Sequence, residues 1–261
     1  MSDKLLRDLV AAGVRWEITD NSFMVPTPPK TETMAPASDM RRESGNIISE
    51  IGRMTSSVVP PIAPSQSISV ETVCAMASRP NDMSALCRMI GEFNHPLRAC
   101  ATNTVLPHVG QGSLLIITDI PSSEDDATGM ILSGASGELM DKMLAAIGLS
   151  RANVSIVPMI FWRTPGGRAP SRLELDLARP FVNRAVELIA PRVILTLGTL
   201  PASELMEINL TKSHGNSFEY SENITLVPIY HPNYLILKPA AKRDVWTALQ
   251  SVQNILKSAE K

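Results

Sequence analysis

The segment 113–158 decides the fold class, and it reads SLLIITDIPSSEDDATGMILSGASGELMDKMLAAIGLSRANVSIVP. It begins and ends with short apolar runs, Ser113–Thr118 and Val154–Pro158, and the residues Gly134–Ile147 between them show helical spacing of apolar side chains. Runs that are apolar on both faces are typical of buried parallel strands, and an intervening helix favours a crossover connection. The segment therefore predicts a strand–helix–strand unit.

The same alternation continues along the rest of the chain. Further apolar runs lie at Arg192–Leu197 and Ile224–Ile229. Helical patterns occur at Val70–Ala77, Met83–Phe93, Arg172–Ile189, Pro201–Met206 and Ala240–Leu256. These patterns predict a three-layer α/β/α fold with a central, mostly parallel four-stranded sheet, whose ligand site lies at the carboxyl ends of the strands.

The N-terminal quarter of the chain has a different composition. Apolar residues at helical spacing within Ser2–Ala12 predict a short amphipathic helix, which Gly13 ends. Prolines then punctuate a stretch rich in Ser and Thr that shows no sustained period. We expect an N-terminal helical arm over 1–24, a flexible linker over 25–69 and a folded domain over 70–261.

Composition excludes several classes of protein. With 261 residues and 44% hydrophobic content, the chain has enough apolar material for a sizeable core. It shows no apolar run of membrane-spanning length, so we expect a cytoplasmic protein that has no contact with a membrane. We also expect a monomer. Its 24 basic and 26 acidic side chains give a net charge of −2, so any contact with nucleic acid must be local.

Cofactor motifs are missing from the sequence. The three cysteines, Cys74, Cys87 and Cys100, are too few for a disulfide framework or for a four-thiolate iron–sulfur cluster. The turn after the first strand contains neither a G-x-G-x-x-G motif nor a Walker lysine. The acidic run 124–126 is interpreted as a solvated loop rather than a metal site. We expect no cofactor and no metal.

Polar residues follow three of the predicted strands. Asp119 comes directly after the first strand and His231 after the fourth; either side chain could instead serve only as a local cap. Arg163 and Arg168 flank a Pro-Gly-Gly turn after the second strand, within a stretch (161–192) that has six arginines and three acidic residues. This loop is the best local site for an anion such as phosphate, although both arginines could instead pair with carboxylates.

The order of these blocks resembles the family-4 uracil-DNA glycosylases, in particular their relatives that lack the iron–sulfur cysteines. Four blocks carry the resemblance: Thr118–Gly129, Gly134–Gly148, Trp162–Pro170, and His231–Leu235 followed by Lys242, Arg243 and Trp246. Together with Arg179-Pro180-Phe181 they span roughly residues 93–256. The resemblance implies a glycosylase-like domain that acts in DNA base-excision repair on uracil-containing or single-stranded DNA.

The resemblance also implies roles for individual residues. His231 and Asp119 take the catalytic positions, where the aspartate is one methylene shorter than the glutamate of the family. Base-pocket positions fall on Ile120, Leu132 and Pro158, and DNA-binding positions fall on Ser122, Arg163, Arg168, Asn233 and Tyr234. Leu132 replaces a stacking Phe, and Pro158 replaces the Asn that reads the base, so uracil excision is expected to be weak or altered. Family cysteine positions are occupied by Trp162, Ala178 and His95.

Three hypotheses remain open on the sequence alone. The chain is an active glycosylase of altered base preference, a catalytically silent member that binds DNA or a nucleobase, or a protein-interaction factor whose N-terminal helix contacts a protein partner. The substituted positions Leu132 and Pro158 separate the first from the second, whereas an intact His231 and the Arg163–Arg168 loop separate both from the third.

Overall fold

The computed structural model describes residues 16–18, 24–26 and 69–258. The chain divides into two units, Met1–Ile62 and Ala63–Lys261. In the first unit, strands β1 (Trp16–Ile18) and β2 (Met24–Pro26) pair antiparallel. The sequence patterns of the arm and linker do not predict these strands. The predicted helix Ser2–Ala12 and most of the predicted linker lie outside the described residues.

The second unit is built around a five-stranded sheet. Its strands are β3 (Leu114–Thr118), β4 (Val154–Pro158), β5 (Val193–Leu197), β6 (Phe218–Ser221) and β7 (Ile224–Ile229). Their order in the sheet is β4-β3-β5-β7-β6, with parallel pairing throughout except for the antiparallel pair β6 and β7. The strands β3, β4 and β5 are buried along their whole length, as a sheet covered on both faces requires.

The sequence predicts four strands, and that number is wrong by one. The additional strand, β6, lies at the edge of the sheet, and its residues alternate between partly buried and exposed. A short edge strand with one solvated face has no continuous apolar run, and such a run is the signal that identifies the other four. The predicted mostly parallel α/β architecture is confirmed.

Helices cover both faces of the sheet and complete the three layers. One face packs against helices Val70–Ala77, Met83–Glu92 and Arg172–Ile189. The other face packs against helices Gly134–Ala146, Pro232–Leu237 and Lys242–Ser258. Shorter helices occupy Ser123–Thr128, Thr199–Met206 and Leu210–Ser213. Among the described residues, no helix is long and apolar enough to cross a membrane.

The strand order places a crevice at one end of the sheet. From β3 the chain moves outward to β4 and then crosses back to β5, which lies on the other side of β3. The connections therefore leave β3 and β5 in opposite directions, and ligands of open α/β sheets bind at such a switch point, beyond the carboxyl ends of the strands. Asp119 follows β3 and Gly198 follows β5 at this point.

Candidate active site

A cavity of about 490 Å³ opens at the carboxyl edge of the sheet. The structure brings together, in its walls, the predicted site residues Asp119, Ile120, Ser122, Arg163, His231 and Asn233. They come from the ends of β3 and β7 and from the loop after β4. In the part of the chain that the structure describes, no group of three or more His, Cys, Asp or Glu side chains is placed to hold a metal ion.

His231 is held in one tautomer by its neighbours. It caps helix Pro232–Leu237, because the backbone N–H of Asn233 donates to His231 Nδ1 at 3.2 Å. The proton of the neutral ring therefore lies on Nε2, which is 3.2 Å from Thr118 Oγ1 and donates to it. Burial lowers the pKa of His231 to about 4, against the opposing charge of Asp125. At neutral pH the ring is therefore uncharged and donates a hydrogen bond. His231 also caps the helix, which is the alternative role that the sequence left open, and the two roles are compatible.

Asp119 and His231 both lie beside Gly198. A Cβ placed on Gly198 would lie 3.5 Å from Asp119 Oδ2 and 3.6 Å from His231 Cβ, and the residue has a φ of +93°. Glycine adopts this conformation without strain and adds no side chain between the two groups. Asp119 Oδ1 accepts the backbone N–H of Ile120 at 2.9 Å, whereas burial raises the pKa of the carboxyl group. A raised pKa makes the carboxylate a better proton acceptor.

Asp125 organises the loop that carries Asp119, and the sequence interpretation of the run 124–126 as a solvated loop is wrong at this residue. Its buried carboxylate accepts the backbone N–H of Ser122 at 3.0 Å and both the N–H and the hydroxyl of Ser133 at 2.6 and 2.7 Å. Ser122 Oγ accepts the N–H of Asp125 in return, which completes a capping box. The S-x-x-D spacing of Ser122 and Asp125 is the sequence signal that could have identified this capping box.

The two arginines of the loop after β4 have different partners. Arg163 Nη1 donates to the carbonyl oxygen of Pro121 at 2.9 Å, so this side chain spans from its own loop to the loop after β3. Arg168 forms a two-pronged ion pair with the buried carboxylate of Glu174, at 2.6 and 2.9 Å, which lowers the pKa of Glu174 to about 2. The structure thus gives Arg168 a carboxylate partner, and only Arg163 lines the cavity.

Leu132 and Pro158 do not line the cavity. Leu132 is buried in the core, in a left-handed backbone conformation with a φ of +50°. Arg151 holds this turn by donating to the carbonyl oxygen of Leu132, and Gly137 allows the close approach, since a Cβ there would lie 1.8 Å from the same oxygen. Pro158 is the buried last residue of β4, in register with Thr118. Tyr234 also lies outside the cavity wall, one residue beyond Asn233.

The residues at the family cysteine positions do not fit an iron–sulfur cluster. Trp162 stacks on His95 with ring centroids 4.6 Å apart and planes 10° apart, and both side chains are buried. Trp162 Nε1 donates to Thr104 Oγ1 at 2.9 Å, and Ala178 is fully buried in the same core. The side chains at these three positions are a methyl group and two stacked rings, and none of them supplies a thiolate ligand for iron.

The low pKa of His231 predicts a dependence of stability on pH. Between the ordinary pKa of 6.5 and the folded value of about 4, the unfolded chain binds the proton and the folded chain does not. Stability should therefore fall as the pH decreases through this window. From about pH 7 to pH 5 the unaltered protein should lose about 1–2 kcal/mol more than His231→Asn, which keeps a helix cap. Urea unfolding at both pH values measures the difference, and equal losses would contradict it.

Comparison with known proteins agrees with this geometry. Residues 108–250 match the model of the uracil DNA glycosylase superfamily. Type-4 uracil-DNA glycosylase of Thermotoga maritima is 30% identical over 148 residues, which cover 54% of this chain and 76% of that protein. The type-4 enzymes of Pyrobaculum aerophilum and Archaeoglobus fulgidus are each 28% identical, over 57% of this chain and 81% and 79% of their own lengths. The family match spans more than half of the chain, which therefore belongs to the uracil DNA glycosylase superfamily.

Proposed function

We propose that this protein hydrolyses the N-glycosidic bond of uracil, or of a related base, flipped out of DNA. The observation that carries the proposal is the convergence of Asp119 and His231 on one cavity at the switch point of the sheet, where both lie beside Gly198. The type-4 uracil-DNA glycosylases named above give the proposal its substrate class. The domain 70–261 is proposed as the unit that carries this activity.

The two side chains suit the two charges that develop in such a reaction. As the bond to deoxyribose breaks, positive charge grows on the sugar and negative charge on the departing base. The neutral His231 carries its N–H on Nε2, and this group can donate a hydrogen bond to the base oxygen that becomes negative, in place of the one it donates to Thr118 Oγ1. Asp119 can accept a proton from the attacking water and offset the sugar cation. Thr118, which the sequence interpretation did not single out, keeps the His231 ring in place as a positioning residue.

Base reading is the weak part of the site. A buried imide edge is normally distinguished by paired hydrogen bonds, and Pro158 has no polar side-chain atom to provide them. Leu132 has no ring face for stacking, and both Leu132 and Pro158 lie outside the cavity wall. We therefore propose slow excision with relaxed base preference. The same two residues favour a second candidate function, in which the protein binds a flipped base and does not cut.

A cleavage assay tests the proposal. Single- and double-stranded oligonucleotides carrying uracil, hypoxanthine or xanthine are incubated with the protein, and abasic sites are counted after alkaline cleavage. Slow release of at least one base is expected, and Asp119→Asn and His231→Asn should each reduce it by about 10²-fold or more. Glu222→Gln, an exposed carboxylate in the turn between β6 and β7, is the matched control and should keep the full rate.

The outcomes separate the two candidate functions. Release that is unaffected by either site variant would remove Asp119 and His231 from the mechanism. No release of any base, combined with tight binding of DNA that carries an extrahelical base, would favour the binding protein over the enzyme.

A further inference from the structure

A second, smaller cavity opens among the three helices that cover one face of the sheet. Its volume is about 170 Å³, and its wall is formed mainly by apolar side chains. They come from helix Gly134–Ala146, from helix Pro232–Leu237 and from helix Lys242–Ser258: Leu139 and Met143, Leu235, and Val245, Trp246 and Leu249. We call this cavity the apolar pit.

The floor of the apolar pit belongs to the core, whereas one wall is open to solvent. Leu235 and Leu249 are each 1% exposed, so they fix the helices against the sheet. The side chain of Trp246 is 40% exposed although it borders the same cavity. An indole that stays this open beside an apolar hollow is not explained by packing of the core, and it is typical of a surface that binds another molecule.

The size and chemistry of the apolar pit favour one hydrocarbon ring as its occupant. An apolar cavity of about 150 Å³ in a protein interior is large enough to bind benzene. The wall offers few polar atoms, so a nucleobase buried there would leave the polar groups of its edge unpaired. A phenylalanine side chain has the matching size and carries no polar atom.

The rim of the apolar pit is positively charged. Lys142 and Lys242 are exposed residues of its wall, and no acidic side chain among the described residues lines it. Within residues 69–258 neither lysine forms an ion pair, and Asp141, the neighbour of Lys142, is already paired with Arg151 at 2.7 Å. Two free ammonium groups beside an apolar hollow complement a ligand that carries carboxylates next to its ring.

The apolar pit is separate from the candidate active site. The two cavities share no lining residue. Ser136 near the start of helix Gly134–Ala146 faces the active-site cavity, whereas the pit is lined by residues from Leu139 onward. A ligand in the pit therefore leaves the active-site cavity free for its substrate.

We propose that the apolar pit docks an acidic segment of another protein. A phenylalanine of that segment enters the pit beside Trp246, and neighbouring carboxylates pair with Lys142 and Lys242. This interaction would bring the protein to its partner while the active-site cavity stays accessible, and it does not depend on the proposed function.

Binding of short peptides tests the proposal without any DNA. The fluorescence anisotropy of labelled Gly-Asp-Asp-Asp-Phe-Asp-Asp-Gly is measured during titration with the full chain at low ionic strength. Replacement of the phenylalanine by alanine should weaken binding by about tenfold or more, because no ring is then buried. Replacement of the aspartates by serine should also weaken binding, and it should remove the dependence of binding on salt.

Variants of the wall locate the contact. Ala146 is an exposed residue of the wall, so Ala146→Leu takes up space in the apolar pit and should weaken peptide binding by about tenfold. Lys142→Glu should weaken it by about threefold or more. Lys212→Glu makes the same change of charge on helix Leu210–Ser213, outside the pit, and is the matched control. Thermal unfolding verifies that the variants fold.

The outcomes identify the occupant. Equal binding of the phenylalanine and alanine peptides, no saturable binding of either, or unchanged binding by Ala146→Leu would overturn the proposal. Loss of oligothymidylate binding in Ala146→Leu would assign the apolar pit to nucleic acid instead, and a dimer that this variant dissociates would assign it to a second copy of the chain. Excision by the unaltered protein is measured separately, so failure of either proposal leaves the other standing.

Discussion

Replacing Trp162 with alanine is expected to lower the free energy of unfolding by about 3–5 kcal/mol. The indole is fully buried, stacks on His95 and donates a hydrogen bond to Thr104, so its removal leaves a large cavity and an unmatched hydroxyl. It also leaves the ring of His95 without its stacking partner, in a core where Ala178 is too small to fill the space. Urea unfolding at neutral pH measures the loss.

Conservative variants show which part of Trp162 matters. Trp162→Phe keeps most of the apolar volume and loses the Nε1 donor, so its loss of stability should be well under half of that of the alanine variant.

The core around Trp162 and His95 also predicts that the protein holds no iron. The purified protein is expected to be colourless and to keep its melting temperature in the presence of chelators. Stoichiometric iron that is lost together with Cys100→Ala would show that thiolates, and not stacked rings, organise this region.

The fold was predictable where apolar runs are continuous and helix ends are marked. The bounds of β4, β7 and helix Arg172–Ile189 agree with the sequence patterns residue for residue. The helix has a capping box at Ser171. Each of the two strands is apolar except for one hydroxyl residue, Ser155 in β4 and Thr225 in β7. The edge strand β6 was missed because half of its residues face solvent.

The candidate site was predictable only at the ends of the strands. Parallel strands bring their carboxyl ends to one edge, so Asp119 and His231 could be placed near each other from the chain order. The roles of Asp125 and Glu174 depend on contacts with Ser133 and Arg168. Such contacts leave no periodic pattern of apolar residues in the sequence. Because the ion pair with Glu174 is formed by residues six apart across a turn, Arg168 could be read from sequence equally well as a phosphate ligand.

Uracil excision is expected to rise by about tenfold or more in Pro158→Asn, because the substitution adds a base-reading amide at the strand end next to Thr118. Paired residues of parallel strands project to the same face, so position 158 lies on the face where Thr118 meets His231. The strand β4 is at the edge of the sheet, where neither proline nor its replacement disrupts the ladder. Single-turnover cleavage of uracil DNA measures the gain.

Control variants separate the effect of the added amide on the excision rate from the effect of losing the proline. Pro158→Val has the same backbone change but no hydrogen-bonding group, and it should gain far less. His231→Asn in the restored background should remove most of the increase, since the neutral Nε2 donor is then lost. Equal gains in the valine control would assign the effect to loss of the proline. Fast uracil release by the unaltered protein would show that base reading relies on other groups, such as the polar side chains of the cavity wall.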